Sequence, residues 1–124
     1  MKGCSTIKFK IAREPIGIND YQFAVFDLDD ISEDIYQKYW NTFQTAEHKL
    51  LGSPDFTQED PRSYFLNSQD NSSEAYILLS QINSECIDSI KIMWGDTGIA
   101  NFFIKGSDLD KLDFSKILYN RDCT

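Results

Sequence analysis

The sequence predicts an α+β fold, mainly an antiparallel sheet with one amphipathic helix packed against it, and three observations carry that expectation. Ile7, Phe9 and Ile11 alternate with Lys8 and Lys10, as a half-buried strand requires. Ile31, Ile35, Tyr36, Tyr39, Trp40 and Phe43 recur at three- and four-residue steps, the period of an amphipathic helix. Residues 90–94 and 99–104 are strand-like runs joined by Gly95-Asp96-Thr97-Gly98, a link of turn-forming types that predicts a hairpin.

Taken in order, the first strand spans 5–12 and is ended by Pro15 and Gly17. Residues 19–28 carry Tyr21, Phe23, Val25 and Phe26 without a clean period and stay open between strand and turn. The helix starts with Asp30 as N-cap, Glu33 three residues on and Asp34 in the first turn, where carboxylates suit the helix dipole. Its apolar stripe is expected to dock on the sheet, with Trp40→Ala among the costlier single changes. Gly52, Pro54 and Pro61 punctuate a polar segment running to about Ser73, which predicts loop, most clearly over 67–73. Residues 75–82 are nearly continuously apolar and read as a central strand covered on both faces, where Ser80 and Gln81 need partners if buried. Ser107 with Asp110 predicts a short helical turn through Leu112, and 117–119 a closing strand. The expectation is one domain, 1–124, with a closed sheet.

Composition narrows the function classes. Nine Phe, six Tyr and two Trp supply ample core material. Twenty acidic against twelve basic residues give a net charge of −8, which repels phosphate backbones and anionic lipid, so neither nucleic acid nor membrane is an expected partner. A basic protein is the partner that such a surface steers in. Cys4, Cys86 and Cys123 are odd in number and unrelated in spacing, and His48 is the single histidine, so neither a disulfide framework nor a zinc site is expected. No stretch approaches the roughly 20 apolar residues of a membrane span, and the expected compartment is the cytoplasm.

Each motif that suggests chemistry has a plainer alternative. Asp27, Asp29, Asp30, Glu33 and Asp34 lack the glycine and downstream glutamate of an EF-hand and read as helix capping, as do Asp108, Asp110 and Asp113 as turn residues. Glu47-His48-Lys49 has the Glu-x-Lys spelling of a metal-dependent nuclease but falls where the helix is expected to end. His48 as a general base would act without a second histidine, and a helix C-terminal cap is the favoured role. No nucleophile elbow or glycine-rich phosphate loop is present, so no catalytic residue, metal or cofactor is expected.

Residues 48–123 carry an ordered series of spellings: Gly52-Ser53-Pro54, Gln58-Glu59-Asp60-Pro61-Arg62, Leu78-Leu79-Ser80-Gln81-Ile82, and Trp94-Gly95-Asp96-Thr97-Gly98 leading into Asn101-Phe102-Phe103-Ile104. Leu112-Asp113-Phe114-Ser115 and Leu118-Tyr119-Asn120 complete it. With the strand at 7–11, the series resembles the C-terminal half of the YwqG-like family of bacterial proteins. Family members are commonly about twice as long, with a first half that faintly mirrors the second. The resemblance therefore implies a piece of a longer chain, a natural half-length member, or a subunit that pairs with its own copy as a homodimer. Ser53 stands where the family usually has an aromatic residue and Arg121 where Trp is frequent, which implies an altered contact surface. The family's activity is unassigned; similar proteins occur in gene neighbourhoods that contain secreted toxins and their neutralisers.

Gly52 and Gly95 read as positions of special backbone geometry, Trp94 and Phe102 as core, and Asp96 as a turn acceptor. Gln58, Asp60, Arg62, Gln81, Asp96 and Asn101 form the candidate ligand-binding set, with Arg62 as an anion clamp; the competing reading has the polar members satisfying one another in a buried network. Two functions follow: a non-catalytic binding module that neutralises a basic effector or toxin domain, or a small-molecule binder or enzyme with a pocket around Gln58, Arg62, Gln81 and Asp96.

Overall fold

The computed structural model describes residues 7–25, 31–43, 47–66, 74–88 and 90–123. The class is α+β: a four-stranded antiparallel sheet, a separate two-stranded ribbon, and one longer helix among short ones. The strands are β1 (Lys49–Leu50), β2 (Tyr76–Asn83), β3 (Glu85–Ile87), β4 (Ile90–Ile92), β5 (Gly98–Lys105) and β6 (Leu118–Cys123). The helices are α1 (Glu33–Phe43), α2 (Arg62–Leu66) and α3 (Gly106–Asp110), and Tyr21–Val25 is a 3₁₀ turn.

The sheet runs β1-β2-β5-β6, so the apolar runs read from the sequence become its two middle strands. Register puts Leu78, Phe103 and Leu118 in one row across a face, and Phe56 packs over that row to complete the core. The next row is polar, Gln81, Asn101 and Asn120, followed by Asn83, Ile99 and Asp122. A segment from Ser53 to Gln58 lies over these rows, and the placement of every candidate side chain follows from that layering. The sheet is open, ending at β1 and β6, and not closed as expected.

Three further expectations are corrected. Residues 7–12 form no strand; Ile7, Phe9 and Ile11 stand exposed because no described strand pairs with them. Residues 90–94 do not form a hairpin with 99–104: β4 pairs back on β3, with Ile87 opposite Ile90, and β5 pairs with β2 and β6. The reason lies in a tighter turn, since Asp88 takes the left-handed φ of 52° that a two-residue hairpin connection demands. Ser84 then pins the base of the ribbon: its N–H donates to the Gly98 carbonyl (2.9 Å), and its hydroxyl accepts the N–H groups of Trp94 (2.9 Å) and Gly98 (3.0 Å). Ser107 does not cap α3, whose N-cap position is Lys105; the Ser107 N–H and hydroxyl instead bond Glu74 at 2.7 and 2.6 Å.

Helix α1 begins as its carboxylates suggest, with Glu33 and Asp34 in the first turn and the Ser32 carbonyl accepting from Ile35 and Tyr36. The expected cap, Asp30, lies outside the described residues, as do Asp27, Asp29 and the loop 67–73. Tyr36, Tyr39 and Trp40 are half-buried, whereas Ile31 and Ile35 are exposed. The helix is held through Tyr39, whose hydroxyl donates to the Ile16 carbonyl (2.8 Å) and whose ring meets Phe23 at 5.3 Å. Gly52 and Gly95 have φ of 81° and 62°, the left-handed geometry expected of them.

Candidate functional site

The candidate residues separate into two buried constellations and two exposed positions. The first is built on Asp60-Pro61-Arg62, where the chain turns into α2. Arg62 is 1% exposed, and its Nε donates to both Asp60 oxygens (2.9 and 3.1 Å). Its Nη2 donates to Asp60 Oδ2 (2.6 Å) and Asp20 Oδ1 (2.8 Å), and Nη1 reaches the Tyr76 carbonyl (3.3 Å). The guanidinium also lies over the rings of Tyr21 and Phe103, at 4.5 and 5.2 Å. Both carboxylates take further donors: the Tyr21 N–H reaches Asp60, while the Ser53 hydroxyl and the Gln22 N–H reach Asp20. Each nitrogen of Arg62 that would grip an external anion is thus occupied from within, and the cluster ties the segment at 20–22 to α2 and β2.

The second constellation is the polar row of the sheet. Gln81 Oε1 accepts the Asp55 N–H (2.7 Å) and its Nε2 donates to the Glu47 carbonyl (3.1 Å) and Asn83 Oδ1 (3.3 Å). Asn101 donates to the Asp55 carbonyl (2.9 Å), and Asp122 Oδ2 accepts the N–H groups of Thr57 (2.7 Å) and Gln58 (3.1 Å). The sheet face therefore supplies the backbone partners that the 53–58 segment cannot find in itself. Asn101 Oδ1 and Asp122 Oδ1 are buried and have no hydrogen-bond partner among the described residues. Gln81 and Asn101 thus satisfy mostly backbone groups and not each other, whereas Asp60 and Arg62 pair directly.

Gln58 and Asp96 lie elsewhere. Gln58 is exposed and donates to the Cys123 carbonyl (2.9 Å); Asp96 is exposed in the link before β5, where its main-chain carbonyl accepts the Thr97 hydroxyl (2.6 Å). His48 also departs from expectation: it directly precedes β1, five residues after α1 ends at Phe43, and its ring bonds Asn83 and Glu85 instead of a helix end. Its Nδ1 accepts the Asn83 N–H (3.0 Å), which leaves Nε2 to donate to Glu85 (2.7 Å). Lys49, placed on β1, is paired with Glu14 (2.8 Å). Among the described residues no group of three or more His, Cys, Asp or Glu side chains is arranged to hold a metal ion. Cys86 and Cys123 are free thiols.

Two hollows adjoin these constellations. The cleft beneath α1, lined by Glu14, Asn19, Tyr39, Trp40 and Asp55, offers about 20 Å³, room for roughly one water molecule. A wider, shallow depression of about 320 Å³ runs beside β6 between Gln58, Glu59, Tyr64, Asn120 and Arg121. Of the candidate set, this depression takes in Gln58 alone. The residues missed by sequence reasoning are Asp20, Ser53, Asp55 and Asp122, each of which acts through a partner more than twenty positions away.

Asp55 supplies a test of the second constellation. Burial pushes its carboxyl above the usual aspartate value, against the opposing pull of the Phe56 N–H and Lys49, and nearby Asp122 and Glu14 push the same way. A raised folded-state value means that Asp55 favours folding below its unfolded value and that this contribution is lost as pH rises through the folded value. Asp55→Asn is therefore expected to melt at or above the parent's temperature at pH 7, an advantage that shrinks towards pH 4. Thermal melts of both proteins across about pH 3–8 check this; an Asn variant less stable at pH 7 than at pH 4, relative to the parent, would contradict it.

An open antiparallel sheet with one face strapped by an irregular segment, and a buried Arg–carboxylate cluster beside it, define an α+β protein whose buried polar residues bond its own segments. The chain belongs to the family described as Domain of unknown function (DUF1963), whose family model matches residues 1–123. No curated protein matches it. Among the described residues, no helix is long and apolar enough to cross a membrane.

Proposed function

We propose that this chain is a non-catalytic protein-binding module of the YwqG-like family, and that its partner is a basic protein, an effector or toxin domain that it neutralises in the bacterial cytoplasm. The observation that carries this reading is where the polar residues are engaged. Arg62, Asp60, Gln81 and Asn101 hold backbone and each other's segments in place, and the chain as a whole carries a net charge of −8. A surface of that sign accelerates encounter with a basic partner, and the effect is screened by salt. A copy of the chain itself is the second partner we propose, covering sheet surface left open.

The tagged full chain, used as bait in extract of the source organism at about 50 mM salt, is expected to retain a protein of net positive charge and release it as salt rises towards about 500 mM. Recovery of nothing beyond background at low salt would sink this reading. A small-molecule site is favoured at the depression beside β6, where exposed Gln58 and Arg121 flank Asp122, whose Oδ1 has no partner among the described residues.

A further inference from the structure

Residues 7–12 carry the side-chain alternation of a strand with one apolar face, yet Ile7, Phe9 and Ile11 are 74, 74 and 100% exposed. Burial of such side chains is worth roughly 1.5–3 kcal/mol each, so a partner for this face would stabilise the segment strongly. Charge says what kind of partner. Lys2, Lys8, Lys10 and Arg13 precede Glu14, and all twenty acidic side chains lie from Glu14 onward. A basic strand is thus attached to an acidic body that it does not cover in its own copy.

The sheet offers one edge long enough to receive it. β1 has two residues, whereas β6 has six and no described strand beyond it. One side of that edge is aromatic: Tyr119 sits opposite Phe102 in register, with ring centroids 5.2 Å apart, Trp94 lies 6.4 Å away, and Tyr119 remains exposed. The other side is the depression walled by Glu59, Tyr64 and Asn120. An added strand with alternating character meets both, apolar residues against the aromatic side and lysines towards Glu59.

We propose that residues 7–12 are a strand donated in trans, added to the β6 edge of a second copy of this chain, and that two copies exchange these strands reciprocally. Reciprocal exchange closes the assembly at two copies and leaves neither the donor strand nor the β6 edge open. The strand exchange specifies the surface used in the self-pairing proposed above, and the two fail differently.

The full chain, followed by sedimentation velocity over about 1–100 µM, is expected to be a dimer. Phe9→Ser/Ile11→Ser is expected to raise its dissociation constant by about a hundredfold or more. Lys8→Glu/Lys10→Glu is expected to raise it about tenfold at low salt, less at high salt. Because these side chains are exposed within one copy, both variants should stay folded by circular dichroism, losing at most the signal of the donated strand, which separates lost pairing from lost folding. Amide exchange in 7–12 should be slow in the dimer and become fast on dilution. A monomer throughout the range overturns both self-pairing and strand exchange. A dimer indifferent to both double variants, or protection of 7–12 that does not change with concentration, overturns strand exchange alone.

Discussion

Replacing Arg62 by Ala is expected to destabilise the protein by roughly 3–5 kcal/mol, a large part of the stability of a domain this size. The loss comes from what remains behind. Asp20 and Asp60 are both buried, and the guanidinium is the cation paired with each. Removing it leaves two carboxylates without their paired cation, and it also removes the guanidinium that lies over the Tyr21 and Phe103 rings. Arg62→Lys should recover little of the loss, because an ammonium cannot reproduce the planar fork that reaches Asp60 twice, Asp20 and the Tyr76 carbonyl. Urea denaturation reads the effect as a lower midpoint at unchanged slope. An Arg62→Ala midpoint within experimental scatter of the parent would show that the cluster does not hold the 20–22 segment to α2.

The second large effect is expected at Phe103. Its side chain is wholly buried in the middle of β5, stacked on Phe56 at 6.2 Å and flanked in register by Leu78 and Leu118. Phe103→Ala should cost about 3–5 kcal/mol, the transfer term plus a cavity that a ring-sized deletion in a central strand cannot collapse. Phe103→Leu keeps most of the volume and should cost clearly less. Loss of Phe103 also removes a ring that the Arg62 guanidinium lies over, so the two sites are coupled. The double variant Arg62→Ala/Phe103→Ala should accordingly lose less than the two single losses added together, a deviation that a double-mutant cycle measures. Strict additivity would mean that the guanidinium and the ring do not support one another.

The fold was most legible where the chain is its own best witness. Residues 75–82 and 99–104 are apolar runs flanked by turn residues, and they became β2 and β5, the two strands with a neighbour on each side. The helix period at Ile31 to Phe43 gave the element, but not which side chains it buries; Ile35 fits the stripe and is exposed, because docking is through Tyr39. The strand at 7–11 was misread for a related reason: alternation reports a preference for one apolar face, and cannot say which chain supplies the cover. At 90–94 the local signal was ambiguous, since turn-forming residues flank the strand on both sides, and the shorter connection at Asp88 took the pairing.

The candidate site was legible in composition and illegible in partnership. Gln58, Arg62, Gln81 and Asn101 were singled out as polar residues in need of an explanation, and three of them proved buried. Their partners, Asp20, the backbone of Asp55 and Glu47, and Tyr76, are distant in sequence, and no spacing rule connects them. Asp60 and Arg62 were an exception: two residues apart at the start of a helix, they form a contact that the local sequence already contains.

The ribbon of β3 and β4 leaves the sheet and returns to it at a single serine. Because the Ser84 N–H meets the Gly98 carbonyl, the ladder between β2 and β5 is already closed before the excursion begins. The excursion from 85 to 93 can therefore be lengthened, shortened or exchanged for a foreign peptide while the strands on either side keep their alignment, which makes it a natural grafting position for an epitope or a reporter.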